Sequence, residues 1–218
     1  MDLKLVIFDC DGVLVDTEEV FNQALIDDLA ERGLNLTLEQ CMGLFLGGTI
    51  SRAIPLIEEY GVTLPPNWVE DFYCKVYATL RETTEPIAGI VDVLNKIESV
   101  GIPYCVASNG RIEEMEITLG RTGMLDRFKD VMFSAQVIGT AKPAPDLFLA
   151  AAAAFGAAPK NCVVIEDSLA GVLAAKRADM KCFGYVPYGT GEALVAENAI
   201  VFDDMANLPA LLELGNYR

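Results

Sequence analysis

The sequence predicts an α/β fold: a Rossmann-like parallel sheet core with helices on both faces and an inserted all-helical cap domain. Three observations predict it. Short, continuously apolar segments recur along the 218 residues, and helical periodicity separates them. Between about 17 and 85 the strands stop and only helical periodicity remains.

The first apolar segment, residues 5–8, reads Leu-Val-Ile-Phe. Such a run suits a parallel strand buried on both faces. Residues 103–107, 131–133 and 162–165 share this look, and 181–185 is a weaker fifth. Helices are expected over 88–100, 112–122, 145–155, 169–178 and 206–214. In the helical stretch, Val20, Leu25, Ile26 and Leu29 form one apolar stripe. Ile50, Ala53, Ile54 and Ile57 form a second, opened by Thr49 or Ser51 as N-cap. Trp68, Phe72, Val76, Tyr77 and Leu80 form a third, and most of these side chains serve as the block's own core. Gly33 and Gly61 read as helix terminators. The predicted domains are therefore an α/β core of residues 1–16 and 86–218, and a helical cap of residues 17–85.

Composition excludes several functions. Apolar residues make up 52% of the chain, enough for a packed core, but no run nears the roughly 20 residues of a membrane span. The net charge of −16 argues against a nucleic-acid partner, which needs a basic face. Histidine is absent, so serine or cysteine chemistry built on histidine and histidine-ligated zinc are excluded. The six cysteines are far apart and none forms a CxxC pair. With no export signal they read as reduced core residues of a cytoplasmic protein. No membrane partner is expected, and the assembly expected is a monomer or weak homodimer.

Chemistry gathers where apolar segments end. The first is followed by Asp9-Cys10-Asp11-Gly12. Two acids past a buried strand are costly unless something pairs with them. In open α/β sheets, ligands bind beyond the carboxyl ends of strands. Two acids there can share a divalent cation, with one free to attack an electrophile. Ser108-Asn109-Gly110 ends another strand just before a helix, a setting for an anionic oxygen. Glu166-Asp167-Ser168 supplies two more acids, of the oxygen type that Mg²⁺ takes. Lys142 stands in a loop stiffened by Pro143 and Pro145, a point charge for a phosphate. Each of these alone has a bland reading as a cap, a turn or a solvated lysine. Together they fit phosphoryl transfer, which depends on positioning and charge neutralisation.

These residues resemble the haloacid dehalogenase superfamily. Residues 9–17, Asp-Cys-Asp-Gly-Val-Leu-Val-Asp-Thr, look like its DxDGxLxDS/T signature. Val106-Ala107-Ser108-Asn109, Lys142-Pro143 and Glu166-Asp167-Ser168-Leu169-Ala170-Gly171 match its second, third and fourth motifs, in order. The helical stretch resembles the C1 cap of the β-phosphoglucomutase-like and phosphoglycolate-phosphatase-like branch, and the whole chain resembles 6-phosphogluconate-phosphatase-like members.

The resemblance implies a Mg²⁺-dependent phosphatase acting on a small phosphorylated metabolite, a sugar or sugar acid. Asp9 would be the nucleophile and Asp11 the acid and base. Ser108, the Asn109 backbone and Lys142 would hold the phosphoryl oxygens. Mg²⁺ would be held by Asp9, the Asp11 carbonyl and Asp167, with Glu166 a ligand or a neighbouring acid. Asp16 would be a structural carboxylate at a hinge formed by residues 15–17 and 84–88. The cap substrate loop would be residues 46–52, with Thr49 and Arg52 touching substrate. Phe21 stands where the mutase branch carries a histidine, which weighs against the alternative of a phosphomutase. Asp11 weighs against a 2-haloacid dehalogenase, whose branch lacks that acid. A non-catalytic binding protein is the remaining alternative.

Overall fold

A computed structural model describes residues 2–45 and 50–216. β1 (Leu5–Phe8) leads through a tight turn into β2 (Val15–Asp16). Four helices follow: α1 (Glu18–Glu31), α2 (Leu38–Phe45), α3 (Ile50–Glu59) and α4 (Trp68–Thr83). β3 (Glu85–Pro86) then leads to α5 (Ile90–Ser99), β4 (Tyr104–Ser108) and α6 (Ile112–Arg121). Next come α7 (Leu125–Phe128), β5 (Met132–Ser134), α8 (Ala135–Ile138) and α9 (Asp146–Ala154). β6 (Cys162–Glu166), α10 (Leu169–Arg177), β7 (Lys181–Tyr185) and α11 (Glu192–Ala196) continue the alternation. β8 (Ile200–Phe202) and α12 (Leu208–Leu211) close it.

Six strands form one parallel sheet in the order β5-β4-β1-β6-β7-β8. β1 is central, and its neighbours β4 and β6 lie on opposite sides. The crevice beyond β1 is therefore the switch point where the strand order reverses. The apolar run of β1 serves two cores because side chains alternate across a strand. Val6 and Phe8 join a cluster with α5, α6 and α12, while Leu5 and Ile7 join one with α9 and α10. All four are fully buried, each contributing about 1.5–3 kcal/mol relative to exposure.

The α/β architecture and the five expected strands are present, with ends shifted by at most one residue. β8 was not expected; its three residues sit at the sheet edge, too short for a periodic signal. The expected terminal helix is instead a 3₁₀ turn at Met205–Asn207, then α12, then a second 3₁₀ turn at Leu214–Asn216. Leu208-Pro209 explains this, since proline is placed at the start of a helix and cannot extend the preceding turn.

The helical block has its own core: Leu25, Leu29, Ile57, Trp68, Phe72, Val76 and Leu80 are buried together. Gly33 and Gly61 have φ of +91° and +84°, and each lies just past a helix. The buried Asp28 anchors the block. It accepts from Trp68 Nε1 at 2.6 Å, Arg32 Nε at 2.9 Å and Lys75 Nζ at 3.0 Å. β2 and β3 form a two-residue antiparallel ribbon, Val15 opposite Pro86 and Asp16 opposite Glu85, where the block leaves and rejoins the sheet. Five cysteines are buried as expected, but Cys74 is exposed on α4. It falls on the polar side of that helix, opposite the stripe through Phe72 and Val76.

Candidate active site

Three strand ends and one loop converge on the crevice beyond β1. The β1 turn supplies Asp9 and Asp11, β4 ends in Ser108, β6 ends in Glu166, and the loop before α9 brings Lys142. Lys142 is 3% exposed, and its Nζ donates to Asp9 Oδ1 and Glu166 Oε1, both at 2.6 Å. A buried ammonium needs such partners, since desolvation alone would neutralise it. Burial works against its charge, yet Asp9 and Glu166 outweigh this and hold its pKa above the usual lysine value. Its Nζ also lies 5.0 Å from the centre of the Phe148 ring. Asn109 places the loop: its side-chain Oδ1 accepts from the Lys142 backbone N–H at 2.9 Å.

Glu166 is fully buried and its oxygens are engaged. Oε1 takes the lysine, while Oε2 accepts from Asp167 N, Ser168 N and Ser168 Oγ. The fourth motif owes its spacing to this carboxylate. Ser168 caps α10 by accepting from Gly171 N at 3.0 Å. A Cβ on Gly171 would lie 1.8 Å from the Glu166 carboxyl carbon, so only glycine permits the approach. A Cβ on Gly12 would likewise sit 2.0 Å from Asp167 Oδ2, and Gly12 has φ of +77°.

Asp9, Glu166 and Asp167 place one carboxylate oxygen each within 4.8 Å of one another. Burial raises the Asp9 pKa to about 7 despite Lys142, with Glu166 and Asp11 adding to the rise. Burial, then Glu166, Asp9 and Glu18, raise Asp167 well above the usual range. Here several buried carboxyls face one lysine, and their charge is under-compensated. A small hard divalent cation fits this donor set in charge and ligand type. The Asp11 side chain points elsewhere. Its Oδ1 accepts from Thr17 Oγ1 at 2.6 Å and its Oδ2 faces Ser108 Oγ at 3.4 Å. Burial raises its pKa, opposed by Thr17, Lys142 and Ser108. Of Asp11, only the main-chain carbonyl remains a candidate metal donor.

Over residues 3–179 the chain matches the family described as haloacid dehalogenase-like hydrolase. The chain belongs to that family. The 6-phosphogluconate phosphatase of Escherichia coli (strain K12) is 32% identical over 211 residues, spanning 96% of this chain and 94% of the relative. Hexitol phosphatase B of the same organism is 28% identical over 178 residues, 80% of each chain. A HAD family hydrolase of Deinococcus radiodurans R1, solved with bound phosphate and sodium, matches with a TM-score of 0.79. It is 29% identical, with 98% of this chain and 97% of that chain covered.

In this haloacid dehalogenase-like hydrolase, Asp9, Asp11, Ser108, Asn109, Lys142, Glu166 and Asp167 come together as the motifs predicted. Thr49 lies outside the described residues. Arg52 falls on α3, and its side chain is likewise not described. Two nearby residues escaped the sequence reading. Thr17, 3% exposed, stands in the sequence as the end of a signature and of a hinge segment, and its hydroxyl anchors Asp11. Glu114, 5% exposed, is the second of two acids in the first turn of α6. Its position one residue before the core Met115 was the available signal, and α4 packing over it decided its burial.

Proposed function

We propose that this protein is a phosphatase that hydrolyses a small phosphorylated metabolite, a sugar or sugar-acid phosphate, through an aspartyl-phosphate on Asp9. The observation that carries the reading is Lys142 held between Asp9 and Glu166 beside a three-carboxylate cluster. Such a site suits an anionic electrophile whose charge is met by a fixed cation and a metal. Two relatives named for 6-phosphogluconate and hexitol phosphates support the substrate class.

Asp9 Oδ attacks phosphorus while the bond to the leaving oxygen breaks. Asp11, raised in pKa and positioned by Thr17, gives its proton to that oxygen. It then takes a proton from the water that attacks phosphorus, releasing phosphate and regenerating Asp9. Ser108, the Asn109 backbone and Lys142 hold the phosphoryl oxygens. Mg²⁺ would be held by Asp9, the Asp11 carbonyl and Asp167, and when bound it neutralises charge on the phosphoryl group. Glu166, whose oxygens are engaged, fixes Lys142. Phe21 packs its ring against Phe72 and Tyr73 and has no proton to give, which favours hydrolysis over a mutase.

Phosphate release from sugar phosphates, sugar-acid phosphates, phosphoglycolate and nucleotides, with and without Mg²⁺, tests the reading. Mg²⁺-dependent turnover lost in Asp9→Asn is expected. Turnover that persists in Asp9→Asn would overturn the mechanism.

A further inference from the structure

The helical block rests on the core along α6, the helix that begins just after Ser108-Asn109-Gly110. Ile117 of α6 packs against the block's own core, and the buried Glu114 lies beside Tyr77 of α4. At the far end of α6, Arg121 donates to the Glu82 carbonyl at 3.2 Å and to Glu85 of β3 at 3.3 Å. At the near end, Arg111 makes a two-pronged pair with Glu70 of α4, both contacts at 2.7 Å. Its guanidinium also lies 4.1 Å over the Tyr73 ring, which packs in turn against Phe21, Phe72 and Tyr77. A planar fork matched to a carboxylate and stacked on a ring fixes direction as well as distance.

This clamp is joined to the loop that the reaction uses. Ser108 Oγ faces Asp11 Oδ2 at 3.4 Å, and Asn109 Oδ1 accepts from the Lys142 N–H at 2.9 Å. Gly110 donates its N–H to Ser108 Oγ at 2.9 Å, and its carbonyl accepts from Ser134 Oγ at 2.6 Å. The core thus holds the first three residues of the loop, while the side chain of the fourth, Arg111, reaches the helical block. Leverage favours that contact. Glu70 lies near the start of α4, and the β2–β3 ribbon follows its end, roughly 20 Å away along the helix axis. A block that swings about the ribbon moves least at Arg121 and most at Glu70.

We propose that Arg111 is a positioning residue. Clamped by Glu70 and Tyr73, it latches the seated helical block to residues 108–111 and so fixes the groups that hold the phosphoryl oxygens. The inference rests on the phosphatase reading and adds a coupling between block and loop. Closure of a lid and completion of the site then become one event, because the same residue takes part in both. Arg111 acts through the loop backbone and does not itself touch the phosphoryl group.

The test uses the Mg²⁺-loaded protein with p-nitrophenyl phosphate and a hexitol phosphate, and inorganic phosphate as inhibitor. Wild type, Glu70→Gln, Arg111→Gln, Arg111→Lys and the double variant Glu70→Gln/Arg111→Gln are compared. Each Gln variant should lower kcat/KM and raise the phosphate inhibition constant about 3- to 10-fold, and the double variant should lose no more than either single one. Arg111→Lys, which keeps the charge without the fork, should retain part of the activity. The sign for Glu70→Gln is decisive, since removing a negative charge would by itself favour an anionic substrate. The Glu70 side chain is 66% exposed, so the melting temperature should hardly move, which separates lost positioning from lost folding. Normal or improved kinetics in Glu70→Gln, or losses that multiply in the double variant, would overturn the latch. A wild type inert toward both substrates would instead sink the phosphatase reading, and the latch with it.

Discussion

Thr17 Oγ1 donates to Asp11 Oδ1 at 2.6 Å. Thr17 directly follows β2, at the start of the helical block, so one short bond ties the proposed acid to the segment that joins block and sheet. Ser108 is the other hydroxyl facing Asp11, at a longer 3.4 Å. Thr17→Val keeps the shape and removes the donor. A hydrogen bond to a charged group contributes about 1.5–3 kcal/mol, so kcat should fall roughly 10- to 100-fold. Thr17→Ser should retain most of it. Steady-state kinetics on one substrate separates the two, and equal activity in both variants would remove Thr17 from the mechanism.

Gly171 offers a test of the fourth motif. An alanine Cβ there would collide with Glu166 at 1.8 Å, pushing the carboxylate off Lys142. Overpacking of this kind costs about 1–3 kcal/mol, and activity should fall with it. Gly120 is the control, because a Cβ there meets nothing nearer than Leu125 Cδ2 at 3.8 Å. Gly120→Ala within α6 should be neutral or stabilising by up to about 1 kcal/mol. Urea unfolding of both variants decides the matter.

Metal binding should show in stability as well as in turnover. The carboxylates of Asp9, Glu166 and Asp167 crowd together, and burial opposes the charge of Asp9 and Asp167. Saturating Mg²⁺ at 100 times its Kd would stabilise the native protein by about 2.7 kcal/mol. The melting temperature should rise with Mg²⁺ and fall back with chelator. Asp167→Asn should abolish that rise, whether or not the variant is active. A rise of full size in Asp167→Asn would exclude Asp167 as a ligand.

Glu114 gives stability a pH dependence of definite sign. Burial and Asp11 raise its native pKa from 4.5 to about 8. The native state therefore holds this proton more tightly than the unfolded chain. The contribution is full below about pH 4.5 and is lost as pH rises through about 8. Asp9, raised to about 7, acts the same way in metal-free protein. The melting temperature of metal-free protein should thus decline between pH 5 and 8. Glu114→Gln should make the decline shallower without removing it. An unchanged slope would show that Glu114 carries no such shift.

The strands and motifs were legible because they rest on local rules. Leu5–Phe8 is apolar at four successive positions, which suits a parallel strand buried on both faces. Asp9, Asp11, Ser108, Lys142, Glu166 and Asp167 were found because each follows a strand or sits in a stiffened loop. The edge strand β8 was not legible, since three residues carry no period and Ile200 is exposed. Nor was the exposure of Cys74, which depends on which side of α4 turns outward.

The sequence by itself determined the alternation of strands and helices, the inserted helical stretch, and the residues proposed to carry phosphoryl transfer. Hydrophobic period and residue chemistry are properties of short segments, and they survive without a fold. Only the tertiary structure decided partnership. It set Lys142 against both Asp9 and Glu166, Thr17 against Asp11, and the Glu114–Tyr77 pair beneath α4. Those contacts join residues from 6 to 133 positions apart. Distance and burial at that range are set by how the sheet orders its strands and by how α4 rests on α6.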